Sequence, residues 1–559
     1  MLTATEPVRD ESAPAAVIPR VLVFRSCRMP QFLATINWIR AQWPTVGIDV
    51  VSSPGFDAQL RAAGATRIHT YSGASFAMAR NLALVRRLRA VAFDCIVIPQ
   101  MSEVAGHHAN LYRAAAAVGA GRFVVAPIDT TPIVIEPRAF DWLTLRASIE
   151  RFVNAIDVPL LLVLLTLAYW RPRPKAAAAR RRRRVLHVIT SFGVGGAQVQ
   201  LAELLARTPK QQYDVEVLIL GRQDGDFSRQ WLARDDVKFH YSSGWPRRSL
   251  AALEIARLCQ TERYDLVHTW LFMANVIGAA GARLGGAPRI LASVRNLSLW
   301  KRTWYAQWWF RIADALGSRV ADQVTVNATP LVADHAEWTW MKPARIAVVP
   351  NGLNPERVIQ QADGAYAWLR RELQLPLDTP IVGTVGRLAP EKDHVMFLRA
   401  VATALRSRHD LHAVIVGDGA QRQLLEQKAA AIGLAGRVHF MGERRDSRRI
   451  IAGLDVFALT SRIEGFPNVL LEAAFLAVPA IATDIGGAGD VLDPDDLMDS
   501  GDADQASRLL LARLASRDRA RFHAAAVRRR ALDQFTAAHS SARWLALYDR
   551  MLTGKGDGQ

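Results

Sequence analysis

Apolar and polar positions follow two rhythms along this chain. Short continuous apolar runs mark strands buried on both faces, and they alternate with segments whose apolar residues recur every three or four positions, as in helices packed on one side. Val21 to Phe24, Ile48 to Ser52, Cys95 to Pro99 and Phe123 to Ala126 read as strands, with helices around Gln31 to Trp43, Phe76 to Ala92 and His107 to Val118. The rhythm restarts at Val185 to Thr190 and continues through Val215 to Leu220, Leu266 to Trp270, Ile290 to Val294, Val324 to Asn327 and Ile346 to Pro350. A third series holds Ile381 to Val385, Val414 to Gly417, Val438 to Met441, Leu454 to Thr460 and Ala480 to Thr483. Strand–helix alternation predicts parallel sheets covered by helices, and three series predict three α/β domains.

The boundaries follow from the breaks in the pattern. Residues 1–19 read as a disordered tail, 20–150 as an N-terminal Rossmann-like domain, and 151–184 as a hydrophobic segment with a basic linker. A second α/β domain covers 185–357, a third covers 358–535, and 536–559 hold a C-terminal helix and tail. The polar stretch from Pro350-Asn351-Gly352 to about Pro380 reads as a hinge.

Within 151–184, the run Val158 to Trp170 is uncharged. As helix it spans only about 20 Å, short of a hydrocarbon core of roughly 30 Å. Tyr169, Trp170 and the arginines beyond them resemble an interfacial anchor with a positive flank. Three readings follow: a re-entrant or in-plane membrane segment, a true span, and a buried core helix. The first is the expectation.

Composition narrows this picture little. The 559 residues are 50% hydrophobic and 22% charged, as in an ordinary globular chain. Cys27, Cys95 and Cys259 are too few and too scattered for a disulfide framework or a zinc cluster, which fits a reducing compartment. The net charge of +18 raises nucleic acid as a partner. However, Arg171, Arg173, Lys175 and Arg180 to Arg184 concentrate much of it directly after the apolar run, which points to anionic lipid and away from nucleic acid. The N-terminus has no apolar stretch of the secretory kind. Glu103, His107 and His108 form a polar cluster whose spacing matches no standard metal site.

The chemistry gathers at strand ends. Arg462 to Ala474 follows a strand and opens a short helix: Gly465 frees the backbone, Pro467 presets φ, and Asn468 is placed to accept from the first amides. Two readings of the stretch follow: an anion site flanked by Glu464 and Glu472, as suits a ligand carrying hydroxyls and phosphate, and an ordinary strand–loop–helix corner whose glutamates are solvated. A second glycine-rich turn, Gly193 to Gly196, follows the strand at Val185, but it lacks the third glycine of a dinucleotide fingerprint.

From Val185 to about Met551 the chain closely resembles glycosyltransferase family 4, the retaining nucleotide-sugar enzymes of GT-B fold. The motifs, in order, are Gly195-Gly196, Pro350-Asn351-Gly352, Gly386-Arg387-Leu388 with Glu391-Lys392, Gly417-Asp418-Gly419, Glu464-Gly465-Phe466 through Glu472, and Gly486-Gly487. The fold implied is two Rossmann-like domains facing across a cleft, with the acceptor on the side of 185–357 and the nucleotide sugar on the side of 358–535, preceded by the extra α/β domain and the hydrophobic membrane-associated segment. The C-terminal helix would return to the acceptor side.

The resemblance implies that Arg387 and Lys392 neutralise the diphosphate, Glu464 contacts the donor sugar and Glu472 holds the ribose. Gly195, Gly196, Gly386, Gly417, Asp418, Phe466, Pro467, Asn468 and Leu471 would complete the donor site. It implies front-face transfer with retention, no metal, and no cofactor beyond the nucleotide sugar as co-substrate. Two positions depart from the family pattern: His268-Thr269-Trp270 stands where a His-x-His is usual, and Val294-Arg295-Asn296 where a histidine precedes asparagine. Either the acceptor site is rebuilt, with His268 or Arg295 taking part, or activity is impaired. The expected function is transfer to a lipid-linked or polysaccharide acceptor at the cytoplasmic face of the plasma membrane. The alternatives are a non-catalytic nucleotide-binding scaffold and a soluble transferase with a soluble acceptor.

Overall fold

The computed structural model describes residues 20–25, 29–71, 81–99, 109–126, 133–135, 137–174, 182–193, 195–221, 236–244, 247–299, 301, 308–360 and 362–553. Two compact units divide the chain, residues 1–156 and 157–559.

The first unit is built on a six-stranded sheet in the spatial order Arg67–Thr70, Gly47–Ser52, Arg20–Phe24, Phe93–Pro99, Ala120–Ala126, Ile133–Ile135. All pairs are parallel except the last. Arg67–Thr70 and Ile133–Ile135 escape the apolar-run rule because they are short edge strands. Asp49, buried mid-sheet, is held by Arg20 at 2.9 Å and His69 at 3.0 Å. Glu103, His107 and His108 lie outside the described residues.

The second unit carries two sheets. One has seven parallel strands ordered Ile346–Val348, Gln323–Val326, Arg289–Val294, Leu266–Trp270, Arg183–Ile189, Tyr213–Ile219, Lys238–Tyr241. The other has six ordered Val438–Gly442, His412–Val416, Ile381–Val385, Val456–Leu459, Ala480–Thr483, Leu497–Met498. In both, the first strand in sequence lies beside the fourth, so the winding direction reverses between them. The carboxyl ends of those paired strands define the crevice where open α/β sheets take ligands. They are Ile189 with Trp270 in one half, and Val385 with Leu459 in the other.

Two chain crossings join the halves side by side. Leu353 N donates to Phe535 O at 3.1 Å, and Ala537 N returns a bond to Leu353 O at 2.7 Å. The helix Ala537–Thr553 then packs on the first half through Trp544, Leu547, Tyr548 and Leu552. The stretch expected to be a hinge contains two helices, Pro355–Ile359 and Ala365–Glu372. Its polarity misleads because Arg370 is buried, donating to Asp455 Oδ2 at 2.6 Å and to the carbonyls of Gly453 and Thr379.

The hydrophobic segment belongs to one long helix, Pro137–Trp170, with Pro159 inside it. No helix of the described residues is long and apolar enough to cross a membrane, so the spanning reading is set aside. Leu161, Leu164, Leu165 and Ala168 join the core of the second unit. Asp157, the residue that a bilayer span would have had to bury, instead caps the helix Arg248–Glu262. It accepts from the amides of Arg248 and Ser249, each at 2.9 Å, and from Ser249 Oγ at 2.6 Å. The basic linker is also partly structural: Arg183 and Arg184 lie in a strand, and Arg184 Nη2 is 2.6 Å from Glu216 and 2.8 Å from Glu262. Burial opposes Glu216's charge, but His240, Tyr264 and Arg184 together hold its carboxyl down at about 2.

Candidate active site

The strand Ile381–Val385 delivers Gly386 and Arg387 to the crevice, and the neighbouring Val456–Leu459 delivers Ser461 and Glu464. Gly417 closes the floor with φ +131°, where a Cβ would sit 2.0 Å from Gly386 O, so only glycine fits. Lys392 ends a short 3₁₀ turn whose successor, Asp393, caps the helix His394–Leu405 by accepting from the Met396 amide. That turn sets Lys392 Nζ 2.6 Å from Glu464 Oε1, and Ser461 Oγ donates to the same oxygen at 2.7 Å. Arg387 points outward, its side chain 71% exposed and paired with Glu391. It is placed at the rim, held by Glu391.

Glu472, on the helix Asn468–Phe475, accepts from Arg448 Nε at 2.9 Å. Burial raises its pKa above the ordinary carboxylate value, against the pull of Arg448. A cavity of about 130 Å³ lined by Val199, Glu203, Leu353, Arg357 and Arg448 adjoins this pair between the halves. Asp418 is half-exposed, and its pKa is lowered chiefly by the Gly419 amide and then by Arg422.

Across the crevice, Gly195 precedes the helix Gly196–Arg207 in extended backbone. A Cβ on Gly196 would lie 3.4 Å from Asn468 Nδ2, so the glycine pair of one half faces the helix start of the other. Asn468 does not cap its own helix. Its Oδ1 accepts from Asn351 Nδ2 at 2.7 Å, while Asn351 Oδ1 accepts from Arg295 Nη1 at 2.9 Å. Gly465 completes the contact, because a Cβ there would meet Arg295 O at 1.9 Å.

Leu471 is fully buried in the core, so its side chain is withdrawn from the crevice. One expected acceptor-side residue is corrected. His268 is fully buried as well, its Nδ1 2.6 Å from the Tyr548 hydroxyl and its Nε2 2.8 Å from Ser293 Oγ. Burial, with His187 and Arg295 nearby, keeps it neutral. It locks the C-terminal helix and has no nitrogen left for an acceptor. Phe466 is also buried, ring to ring with Phe535 at 5.2 Å, so only its backbone is placed to serve a ligand.

Trp270 fills the space a second imidazole would occupy. It is fully buried and donates from Nε1 to His187 Nδ1 at 3.0 Å, and burial pushes His187 down to about 3. Arg295 stacks over Trp270 at 4.5 Å and Trp544 at 5.3 Å. Burial pushes its guanidinium down to about 9, still charged at neutral pH, and its Nε and Nη2 find no hydrogen-bond partner.

Sequence reading gave no role to Asn351, Ser461, Arg448 or Leu271. Asn351 stood in a recognised motif, and its position at a chain crossing was the available signal. Leu271, directly after Trp270, adopts φ +73° and ψ 159°, a region almost confined to glycine, and no sequence signal announces that strain.

Two doubly wound halves joined by a double crossing, with glycine turns meeting across a crevice, define the GT-B class of glycosyltransferases. Residues 194–357 match the family described as Glycosyltransferase Family 4, and residues 368–529 match Glycosyl transferases group 1. The chain therefore belongs to glycosyltransferase family 4 and is a glycosyltransferase by family. A Vi polysaccharide biosynthesis protein, VipC/TviE, of Salmonella typhi is 26% identical over 238 residues, 42% of this chain and 41% of that protein. UDP-Gal:alpha-D-GlcNAc-diphosphoundecaprenol alpha-1,3-galactosyltransferase of Escherichia coli is 28% identical over 318 residues, 53% of this chain and 77% of that protein. The crystal structure of Anabaena HepE in complex with UDP-glucose superposes with a TM-score of 0.57 at 20% identity, covering 66% of this chain and 99% of that one. This last likeness bears on the fold.

Proposed function

We propose that this chain is a retaining, metal-independent glycosyltransferase that moves a hexosyl-type sugar from a nucleotide-sugar donor to a lipid-linked or polysaccharide acceptor at the cytoplasmic face of a membrane. The observation that carries the reading is the Lys392–Glu464 pair at the reversal point of one sheet, facing Gly195 and Gly196 from the other. A diphosphate entering there meets the Lys392 ammonium and the Arg387 fork, one a point charge and the other bidentate. Lys392 then shares its charge with the phosphate, and Glu464 turns a lone pair to a sugar hydroxyl. Glu472 accepts from the ribose, and the open start of the helix at Asn468 offers amides to the phosphate. As the bond from the anomeric carbon to the phosphate oxygen breaks, the acceptor oxygen bonds to that carbon from the same face. Its proton passes to the departing phosphate. Fixed positive groups stabilise the leaving group, with no cofactor beyond the nucleotide sugar. Arg295 acts from behind Asn351 as a fixed charge, a positioning role. The UDP-glucose complex of HepE and the UDP-Gal donor in the Escherichia coli relative's name support a nucleotide-sugar donor.

A donor panel read by thermal shift, followed by transfer to membrane extracts, tests the reading. Stabilisation by a nucleotide sugar and transfer lost in Lys392→Ala are expected; no stabilisation by any nucleotide or nucleotide sugar overturns it. A second reading, a nucleotide-binding scaffold, draws on the filling of the acceptor side by Trp270 and buried His268. It predicts that Lys392→Ala retains biological function.

A further inference from the structure

The last turns of the helix Pro137–Trp170 turn an apolar face to solvent. From Leu160 onwards it presents Leu160, Val163, Leu167 and Trp170, exposed by 42, 52, 55 and 76%. Their spacing of three and four places them on one side, opposite the buried Leu161, Leu164, Leu165 and Ala168. A free helix face of this kind calls for an occupant.

The stripe leads to a cavity of about 260 Å³ lined by Tyr169, Trp170, Arg171, Arg173, Arg283 and Arg319 together with Ala168 and Val320. The arginines are held in place. Arg171 donates to Leu284 O, and Arg319 to the carbonyls of Ala315, Thr339 and Trp340. Arg173 and Arg283 share one carboxylate, Asp322, at 2.9 and 2.8 Å. Four guanidinium groups against one aspartate leave the cavity strongly positive. Burial lowers the pKa of Arg283, and Arg173 and Arg289 add to that lowering.

We propose that this face is a bilayer seat: the stripe Leu160, Val163, Leu167 and Trp170 enters the interfacial layer in the plane of the membrane, and the arginine cavity takes the phosphate of an anionic phospholipid. Charge complementarity selects this occupant. A second protein copy would have to cover an apolar stripe and an arginine cavity with one surface, whereas an anionic leaflet offers acyl chains and phosphates side by side. Trp170 and Tyr169 stand at the boundary, where amphipathic rings settle. The proposal rests on the membrane-face part of the proposed function and adds the surface and the lipid group it reads.

The test is co-sedimentation of the full chain with vesicles of phosphatidylcholine alone and of phosphatidylcholine with phosphatidylglycerol. Binding is expected only to the second. Leu167→Glu should lower partitioning by at least about tenfold, because an ionised side chain replaces an inserted apolar one. Arg171→Gln with Arg173→Gln should lower it by about fivefold or more, with a weaker salt dependence. Donor hydrolysis in detergent-free buffer should stay at wild-type values, since neither stripe nor cavity touches the crevice residues. Equal binding to neutral vesicles, or unchanged binding of Leu167→Glu, overturns the proposal. So does protection of the chain by inorganic phosphate to the same extent as by anionic vesicles, and so does a Leu167→Glu effect seen only as a change from dimer to monomer. Loss of donor hydrolysis in Lys392→Ala with vesicle binding intact bears on the catalytic reading alone, so the two fail separately.

Discussion

Lys392 Nζ lies 2.6 Å from Glu464 Oε1, so the two groups proposed for phosphate and sugar hold each other. Both side chains are largely buried, at 23 and 11% exposure. Lys392→Ala would strand Glu464 with Ser461 as its remaining side-chain donor, at an expected cost of about 2 kcal/mol in denaturant unfolding. Transfer should fall by at least about a hundredfold. Glu464→Gln keeps a partner for Lys392 and should cost less stability while still raising KM for the donor. Transfer by Lys392→Ala within about threefold of wild type would remove the lysine from the phosphate site.

Glu472 gives a pH dependence with a definite sign. Its folded pKa is raised by burial, so it takes up a proton in the folded state before it would in the unfolded chain. Falling pH through that raised value therefore adds stability from this group, while rising pH removes it. Ribose binding runs the other way, because protonation halves the carboxylate's capacity to accept. The donor KM should rise as pH falls towards the ordinary carboxylate range, and Arg448→Gln should move that limb to higher pH by removing an opposing charge. A KM flat from pH 7 to the acid limit in both proteins would rule out Glu472 as the ribose ligand.

The sheets were legible because buried parallel strands leave continuous apolar runs, and the tight turns at the crevice were legible as glycines, because at Gly417, Gly465 and Gly486 a side chain cannot fit. What resisted reading depended on partners distant in sequence. Asp157 looked like an obstacle in an apolar helix until its place under the Arg248 and Ser249 amides was known. Arg370 looked like hinge polarity until Asp455 stood beside it. His268 looked chemical because the resemblance puts a His-x-His there, and only Tyr548, from the far end of the chain, together with Ser293 shows both its nitrogens engaged. Local pattern reports which face is buried; it does not report who waits on the other side.

Within the second unit, Asp157 ties the helical stretch 157–170 to the start of the helix Arg248–Glu262, so Asp157→Ala should loosen that packing. The substitution removes the acceptor for two backbone amides and the Ser249 hydroxyl at a helix start. A loss of about 1–2 kcal/mol is expected, the upper end of what an N-terminal cap contributes. Urea unfolding of the full chain measures it, and Asp157→Asn should recover part of the loss. An unchanged midpoint in Asp157→Ala would mean that the helix is held by Leu161, Leu164 and Leu165 alone.

Gly465 tests how closely the halves must meet. An alanine Cβ would stand 1.9 Å from the Arg295 carbonyl, a backbone atom that cannot rotate away. Gly465→Ala should therefore push the Glu464 loop off the first half, and about 1–3 kcal/mol of stability should be lost to the clash. Activity should fall more steeply than donor affinity, since Lys392 and Glu464 come from the same half and their pair survives the separation. A kcat drop of about tenfold or more with KM little changed fits that geometry. Equal losses in donor affinity and kcat would place the damage inside the donor site.

Arg295 separates stability from activity most cleanly. Its guanidinium is buried with Nε and Nη2 unpartnered, so the folded state bears the desolvation of a charge that one bond to Asn351 and two aromatic faces only partly offset. Arg295→Met fills the same channel without the charge and should leave the unfolding free energy unchanged or raise it by about 1 kcal/mol. If the charge serves the departing phosphate through Asn351 and Asn468, transfer in that variant should nevertheless fall by at least about tenfold. Arg295→Lys keeps the charge but loses the planar stack on Trp270, and its activity should lie between the two. The comparison is made by denaturant unfolding and initial rates on the same preparations. A variant that gains stability and keeps full transfer would reduce Arg295 to a packing residue and leave the acceptor side without a charged group from either position that departs from the family pattern.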